Sequence, residues 1–261
     1  MTATARLRSA LGRARRMATR RRRRRAAPTP TPLQEALIDL LSARGILSIV
    51  QVGANDGRIN DPINGFVSSH RDTTRLLLIE PQVQLLPMLR QTYADHPCAR
   101  IEHCAIGPSG EMTLWQVAEQ FWDDVDANYS SAGDWPSYRA PSGVTSSSRE
   151  HVVAWLSKHY VIERPLDELI TSFTIPSLSL FEVLESSGFG LGVDLLQVDT
   201  EGSDDVVIMN SSIESIRPAL INFEWAHLTD ERYAALDDHL RSNGYTVTRH
   251  GPDALAVLSA R

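Results

Sequence analysis

The sequence has little cysteine and no long apolar run. Its two cysteines, Cys98 and Cys104, form no CxxC pair, so neither a disulfide framework nor a cysteine-based zinc site is expected. Because no run of about 18 apolar residues occurs, no membrane-spanning helix is expected either. These observations favour a protein with reduced thiols, and we expect it to be cytoplasmic.

Acidic residues are absent from the start of the chain and abundant in the rest. Residues 1–27 contain eleven arginines and no Asp or Glu, whereas the whole chain has 26 basic and 32 acidic residues. Residues 28–261 therefore have 15 basic residues against 32 acidic ones. Because binding to a phosphate backbone needs a basic face, this balance argues against a nucleic-acid substrate.

Residues 1–32 are predicted to form a disordered tail. The arginines Arg20–Arg25 repel one another, and the Pro-Thr repeat after them disfavours a helix. The tail either touches an anionic membrane or nucleic acid, or is a solvated leader. Residues 33–261 are predicted to form one α/β domain. A Ser-, Gly- and aromatic-rich segment at about 118–160 interrupts it and suggests a lid, an acceptor-binding segment or a disordered insert.

Helical and strand patterns alternate beyond the tail. This alternation predicts a mostly parallel sheet with helices on both faces. The loop between the last two strands is too short for a crossover, so the C-terminal pair is antiparallel. Another strand is expected to pair with its predecessor through a turn at 107–110. The predicted strands are 46–52, 75–79, 99–106, 111–117, 193–198, 218–224, 245–249 and 254–259, and the predicted helices are 33–43, 82–93, 176–187, one from about 203, and 229–242.

The candidate site lies at one edge of this sheet. Ligands of such sheets bind outside the carboxyl ends of the parallel strands. Five groups of residues directly follow predicted strands, and we expect them to converge. They are Gly53–Gly57, Glu80 with Pro81, His103–Ala105, Asp199–Gly202 and Glu224–His227.

The loop Gly53–Gly57 indicates what kind of ligand binds. It is neither a GxGxxG loop nor a Walker loop, so a dinucleotide or a nucleoside triphosphate is poorly supported. Glu80, at the end of the next strand, suits the two hydroxyls of a ribose. A nucleoside without phosphates fits better, and S-adenosylmethionine is a common one.

Several segments together resemble the FkbM family of methyltransferases. The likeness extends over about residues 46–228 and includes an Asp-x-Glu-Gly element at Asp199–Gly202, which follows a Leu-Asp-Glu-Leu stretch at Leu166–Leu169. Gln51 stands where the family often has Asp, and Gln197 stands where Lys is frequent. The segments that carry the resemblance are Val52–Gly57, Leu78–Pro81, Ala105–Gly107 with Gly110, Leu166–Ile170 and Leu195–Gly202.

The resemblance implies a class I methyltransferase fold, which is Rossmann-like with a reversed last strand. It also implies S-adenosylmethionine as donor and O-methylation of sugars or natural products. By the same likeness, the glycine loop lines the methionine end, Glu80 binds the ribose, His103 and Ala105 flank the adenine, and Asp199 lies near the transferred methyl. The residues assigned to the cofactor are Gly53, Ala54, Asn55, Asp56, Gly57, Glu80, Pro81, His103, Ala105 and Asp199.

A hydroxyl acceptor is a weak nucleophile, so a general base is expected. His227 is the candidate because imidazole titrates near neutrality, and Glu224 or Glu201 would orient it. Asp199, Glu201, Glu224 and His227 together could also hold Mg²⁺. Aromatic residues of segment 118–160 suit stacking on a sugar ring, and equally a lid or a contact in a homo-oligomer.

Three alternatives remain at this stage. A nicotinamide-dependent oxidoreductase uses a similar sheet, but the third glycine of its loop is missing here. A non-catalytic binding module led by the basic tail fits poorly with the acidic remainder. Methylation of a peptide nitrogen is not excluded, although the resemblance favours oxygen. The expected partner is thus a small-molecule or carbohydrate acceptor.

Overall fold

A seven-stranded sheet dominates the computed structural model, which describes residues 30–130, 135–161 and 163–259. The predicted tail at 1–32 lies outside the described residues except for its last three. The strands are β1 (Leu47–Val52), β2 (Thr74–Ile79), β3 (Ala99–Glu102), β4 (Ala105–Ile106), β5 (Gly110–Val117), β6 (Ile170–Leu178), β7 (Leu195–Val198), β8 (Leu220–Glu224), β9 (Tyr245–His250) and β10 (Asp253–Leu258).

The strand order of the large sheet is β3-β2-β1-β7-β8-β10-β9. The first five strands of this order are parallel, whereas β10 runs antiparallel to both of its neighbours. This arrangement confirms the predicted mostly parallel sheet with an antiparallel C-terminal strand. It is the class I methyltransferase arrangement that the resemblance implied.

Helices cover both faces of the sheet. Val50 and Leu77 contribute to a core on one face, and Ile49 and Leu76 contribute to a core on the other, because successive strand residues point to opposite sides. All six residues of β1 are buried, as expected for a strand covered on both faces. The helices are α1 (Pro32–Arg44), α2 (Asn64–Ser69), α3 (Leu86–Thr92), α4 (Trp122–Ala127), α5 (Arg139–Ser142), α6 (Arg149–His159), α7 (Leu166–Leu169), α8 (Leu180–Ser186), α9 (Asp204–Met209), α10 (Ile213–Ile216) and α11 (Asp230–Ser242).

The two longest described helices, α1 and α11, have 13 residues each. A search of the described residues finds no helix that is both long and apolar enough to cross a membrane.

A second, three-stranded sheet corrects two of the predictions. The predicted strand 99–106 is in fact two strands, and β4 belongs to the second sheet, where it pairs with β6. The predicted pairing of 111–117 with its predecessor is wrong, because β5 pairs with β6, from Gly110 opposite Ser177 to Val117 opposite Ile170.

Strand β6 itself was not predicted. The helix predicted at 176–187 begins only at Leu180, because the residues before it belong to β6. Pro176 lies within this strand, and a proline without an N–H normally argues against a central strand. The residue pattern of 170–178 therefore did not indicate a strand, although pairing with β5 and β4 stabilises one there.

The predicted insert at 118–160 contains three α-helices and a short 3-10 helix in its described part. Trp122 and Val125 of α4 pack with Val152 and Leu156 of α6 in a small hydrophobic core that also includes Val117 at the end of β5. The described part of this segment is therefore folded onto the second sheet. Residues 131–134 lie outside the described residues.

Candidate functional site

Four parallel strands of the large sheet end side by side. Their last or penultimate residues, Ile79, Val52, Val198 and Phe223, are direct partners across β2, β1, β7 and β8. Since neighbouring strands lie about 4.8 Å apart, the row that follows them spans about 14 Å. The residues of this row are Glu80, Gly53, Asp199 and Glu224.

A cavity of about 780 Å³, partly open to solvent, lies against this row. This volume includes space that is open to solvent. The predicted residues on its wall are Gly53, Asn55, Glu80, Pro81, Ala105, Asp199 and Glu201. Cys104 and Thr200, which fall within the predicted groups His103–Ala105 and Asp199–Gly202, also lie on the wall. The wall residues that were not predicted are Val52, Gln82, Ile106, Met112, Leu114, Arg139, Ser142, Gly143, Thr145, Ser146, Ser147, Ser203, Val206 and Val207.

Gly53 allows the loops after β1 and β7 to touch. Its φ is +80°, and a Cβ at this position would lie 1.9 Å from the carbonyl oxygen of Asp199. No side chain fits there without moving one of the two loops. The glycine is therefore required by the close backbone approach that forms the middle of the row.

Glu80 presents a buried carboxylate to the cavity. Its Oε2 accepts a hydrogen bond from the backbone N–H of Asn55 at 2.7 Å, and its Oε1 accepts one from the N–H of Gln82 at 2.8 Å. Burial raises the pKa of Glu80 to about 7, in spite of these two bonds. A carboxylate has about four acceptor positions, so each oxygen retains capacity for one hydroxyl of a ligand.

Four of the predicted cofactor residues lie away from the cavity wall. Ala54 is buried in the hydrophobic core, and the Asp56 side chain accepts hydrogen bonds from the backbone of the turn that follows it. Gly57 faces α3, where a Cβ would meet side chains at 2.5 and 2.7 Å. His103 is exposed, and its Nε2 donates to the carbonyl of Pro81 at 3.0 Å. Contacts of these residues with the cofactor stay predictions.

Carboxylates crowd the β7–β8 end of the row. Burial raises the pKa of Asp199 well above its usual value, and the neighbouring charges of Glu201 and Asp204 add to the shift. Burial likewise raises the pKa of Glu224 to about 9, with Asp199 and Glu201 as further causes. Arg139 partly offsets this effect at Asp199. A positively charged ligand at this end would lower these raised pKa values and so favour the ionised carboxylates.

The three predicted catalytic residues meet at this end. The Nε2 of His227 lies 3.4 Å from Oε2 of Glu224 and 3.7 Å from Oε2 of Glu201. Desolvation lowers the pKa of His227, which favours the neutral imidazole. His151 of α6 joins them, with its Nε2 3.5 Å from Oε2 of Glu201. Sequence reasoning missed His151 because it lies in the irregular segment, far from any strand end.

The segment 118–160 supplies one wall of the cavity. Gln82 binds this segment to the sheet, since its side chain donates to the carbonyl of Ser142 at 3.1 Å and accepts from Thr145 at 2.8 Å. The Ser146 hydroxyl donates to the carbonyl of Glu201 at 2.8 Å. Gln82 lies two residues after Glu80, so its position in the sequence could have indicated a role.

Asp204 joins the loops after β7 and β8. It is fully buried, and its Oδ2 accepts hydrogen bonds from both the N–H and the hydroxyl of Thr200, at 3.2 and 3.0 Å. Its Oδ1 accepts a bond from the N–H of Glu224 at 3.0 Å. The carboxylate therefore fixes the spacing of the two loops that carry the acidic cluster.

Replacing Asp204 by alanine is expected to lower the free energy of unfolding by about 2–4 kcal/mol. Three partly buried donors would lose their acceptor, and each typically costs up to about 1–3 kcal/mol, less the penalty for burying the carboxylate itself. Denaturant unfolding measures the change. Asp39→Ala, at an exposed position of α1, is the matched control, for which a change within about 0.5 kcal/mol is expected. Equal stabilities of the two variants would contradict the linking role.

Several solved structures are similar to this chain in fold, at low identity. Precorrin-6y C5,15-methyltransferase from Geobacter metallireducens is 12% identical over 90% of this chain and 93% of that chain, with a TM-score of 0.38. The fibrillarin pre-rRNA processing protein of Methanococcus jannaschii is 9% identical over 90% and 77%, with a TM-score of 0.43. A methyltransferase from Geobacter sulfurreducens is 12% identical over 96% and 87%, with a TM-score of 0.36. No curated protein sequence matches significantly.

A family model identifies the chain more directly. The model described as the methyltransferase FkbM domain matches residues 51–247, which include all four strand ends of the row and the second sheet. The match leaves the nicotinamide alternative without support and confirms the resemblance. The chain belongs to the FkbM family of S-adenosylmethionine-dependent methyltransferases.

Proposed function

We propose that this chain transfers the methyl group of S-adenosylmethionine to a hydroxyl oxygen of a sugar, a glycoconjugate or another small hydroxylated metabolite. The observation that carries the proposal is the chemistry of the row of strand ends. A buried carboxylate suited to a diol lies at one end, and a group of carboxylates and an imidazole lies about 14 Å away at the other. A nucleoside cofactor followed by an acceptor spans a distance of this order.

The residues at the row fit this cofactor. S-adenosylmethionine, when bound, supplies a methyl group activated by a sulfonium. Glu80 would accept hydrogen bonds from the two ribose hydroxyls. Because Gly53 has no side chain, its backbone lies directly beside the cavity. A sulfonium beside Asp199 would lower the raised pKa of this carboxyl group and so favour its ionised form.

The reaction releases one proton, which a base must take up. As the bond between methyl carbon and acceptor oxygen forms, the bond between carbon and sulfur breaks. The hydroxyl proton would pass by way of the Glu201 carboxylate, which lines the cavity, to Nε2 of His227. A neutral imidazole can take this proton. Glu201, 3.7 Å away, would stabilise the imidazolium, and Glu224, 3.4 Å away, would orient the ring. The chain's other contribution would be to align the oxygen and exclude water.

Hydrogen bonding rather than stacking is proposed to hold the acceptor. Among the described residues, no Trp or Tyr lines the cavity, and Trp122 is buried in the core with its Nε1 bonded to Val117. The wall instead offers hydroxyls, such as those of Ser142 and Thr145, and the guanidinium of Arg139. Such groups suit an acceptor with several hydroxyls.

A product analysis tests this proposal. The protein would be incubated with S-adenosylmethionine and a set of sugars, glycosides and other polyhydroxylated metabolites, and formation of S-adenosylhomocysteine would be followed. Proton and carbon NMR of the product then shows whether the new methyl is on oxygen. Methylation of nitrogen or carbon would refute the oxygen assignment but would still agree with methyltransferase activity.

The affinity for S-adenosylmethionine is expected to rise with pH through about 7. Burial raises the pKa of Glu80 to about 7, and the ribose hydroxyls bond to its ionised form, so binding requires loss of the proton. The unliganded fold, which favours protonated Glu80, correspondingly loses stability from this group as pH rises from about 4.5 to 7. Calorimetric titration at pH 6 and pH 8 should show about tenfold weaker binding at the lower pH.

Glu80→Gln provides the control for this pH dependence. Its amide does not titrate, so its affinity, although weaker, should not change with pH from this cause. The same slope in both proteins would assign the pH dependence to another group.

A further inference from the structure

We infer that His151, Glu201 and His227 form a binding site for one divalent first-row transition-metal ion, such as Mn²⁺, Fe²⁺, Co²⁺ or Zn²⁺. The inference adds an ion to the acceptor end of the site under the proposed function. It rests on the arrangement of three side chains from three separate parts of the chain. Binding of the ion can be tested without methyl transfer.

The three donor atoms are spaced as ligands of one ion. One potential ligand atom from each residue lies within 4.8 Å of the other two. The Nε2 atoms of His151 and His227 are 3.5 and 3.7 Å from Oε2 of Glu201. Ligands about 2.0–2.1 Å from a tetrahedral zinc ion are about 3.3–3.4 Å from one another. The two distances to Glu201 exceed that spacing by a few tenths of an ångström.

Local structure holds each ligand in place. His151 lies in the first turn of α6, where the Ser148 side chain accepts a hydrogen bond from its N–H at 3.2 Å. Glu201 adopts a left-handed conformation, φ +50°, and its carbonyl is bonded to Ser146. A Cβ at Gly202 would lie 3.5 Å from Nδ1 of His151 and 3.6 Å from Cβ of His227. Gly202 therefore lies close to both histidines.

One ring nitrogen of His151 lacks a hydrogen-bond partner. Its Nε2 is buried and makes no hydrogen bond in the described part of the chain, although a buried ring nitrogen normally has a partner. The two imidazole rings are nearly perpendicular, at 87°, with centroids 4.9 Å apart, so they do not stack. Oε2 of Glu224, 3.4 Å from Nε2 of His227, offers a fourth ligand.

The kinds of ligand decide which ion fits. Two imidazole nitrogens with one carboxylate are typical of Mn, Fe, Co and Zn sites, whereas Mg²⁺ prefers oxygen ligands and water. The magnesium site predicted from Asp199, Glu201, Glu224 and His227 has no support in the family match, and it did not include His151. Glu201 also lines the cavity, so an ion here would face the acceptor. His227 would then hold the ion, and it would act as base only in the metal-free protein.

Metal titration of the full-length chain tests the inference. The protein, prepared without a polyhistidine tag and stripped with a chelator, would be titrated with Mn²⁺ by calorimetry and with Co²⁺ by visible absorption. We expect one ion per chain. His151→Ala and His227→Ala should each weaken binding by about 100-fold or more, since loss of even an outer-shell partner typically costs about 10–100-fold. The cobalt spectrum also reveals any thiolate ligation by exposed Cys98.

His159→Ala is the matched control. It removes a histidine from the last turn of the same helix, which is outside the cluster, and should bind metal like the unmodified chain. Thermal unfolding would establish that all variants are folded. Failure of the folded chain to bind Mn²⁺ or Co²⁺, or equal binding by all three variants, would overturn the inference. Titration with S-adenosylmethionine in parallel tests the cofactor site separately, so the two proposals can fail independently.

Discussion

Replacing Glu80 by alanine is expected to weaken binding of S-adenosylmethionine by about 100-fold or more. The variant loses two hydrogen bonds from ribose hydroxyls to a carboxylate, and each bond to a charged group is worth about 1.5–3 kcal/mol. A loss of about 3–6 kcal/mol corresponds to at least two powers of ten in the dissociation constant. Calorimetric titration with S-adenosylmethionine and S-adenosylhomocysteine measures the effect.

The control for this prediction is Glu102→Ala. Glu102 ends β3, which pairs with β2, but it lies outside the cavity wall. Its variant should bind both ligands within about twofold of the unmodified chain. Because Glu80 also accepts two backbone hydrogen bonds, unfolding of the ligand-free variants must be compared. A folded Glu80→Ala protein with normal affinity would remove the ribose role.

Replacing His227 by alanine is expected to slow methyl transfer by about 100- to 10,000-fold, the usual contribution of a positioned base. The affinity for S-adenosylmethionine should stay within about twofold, because His227 is not on the cavity wall and meets it only through Glu201. Formation of S-adenosylhomocysteine in metal-free protein, at saturating donor and with the best acceptor found, measures the rate.

His159→Ala is again the control, because it removes a histidine that is outside the acidic cluster. His159 lies on α6 but contacts Tyr129 and Trp155 rather than the carboxylates. We expect its rate to be close to that of the unmodified chain. If His227→Ala transfers methyl at a normal rate in metal-free protein, the imidazole acts neither as the general base nor as a positioning group.

The row of strand ends could be predicted from the sequence. Each of the residues Glu80, Gly53, Asp199 and Glu224 directly follows a buried apolar run. Such runs indicate parallel strands, because strands covered on both faces need apolar residues throughout. Where such strands end together, their next residues must be neighbours. The roles of these residues stay predictions, whereas their adjacency follows from the strand register.

The departure at Gln51 shows what a motif comparison leaves out. Gln51 stands where the family often has Asp, yet its side chain donates to Oδ2 of Asp61 at 2.8 Å. Burial raises the pKa of Asp61. A loop residue therefore brings a carboxyl group next to this position, although nothing in the spacing of the two residues indicates it.

By itself the sequence determined the alternating α/β pattern, the large sheet, its antiparallel end and the family, because periodicity and strand-end residues are local properties. Only the tertiary structure decided the pairing of β6 with β5 and β4, the cavity wall supplied by segment 118–160, and the meeting of His151 with Glu201 and His227. These features depend on contacts between residues about 50 or more positions apart along the chain. Such contacts are fixed by packing of whole elements, which no local pattern of residues records.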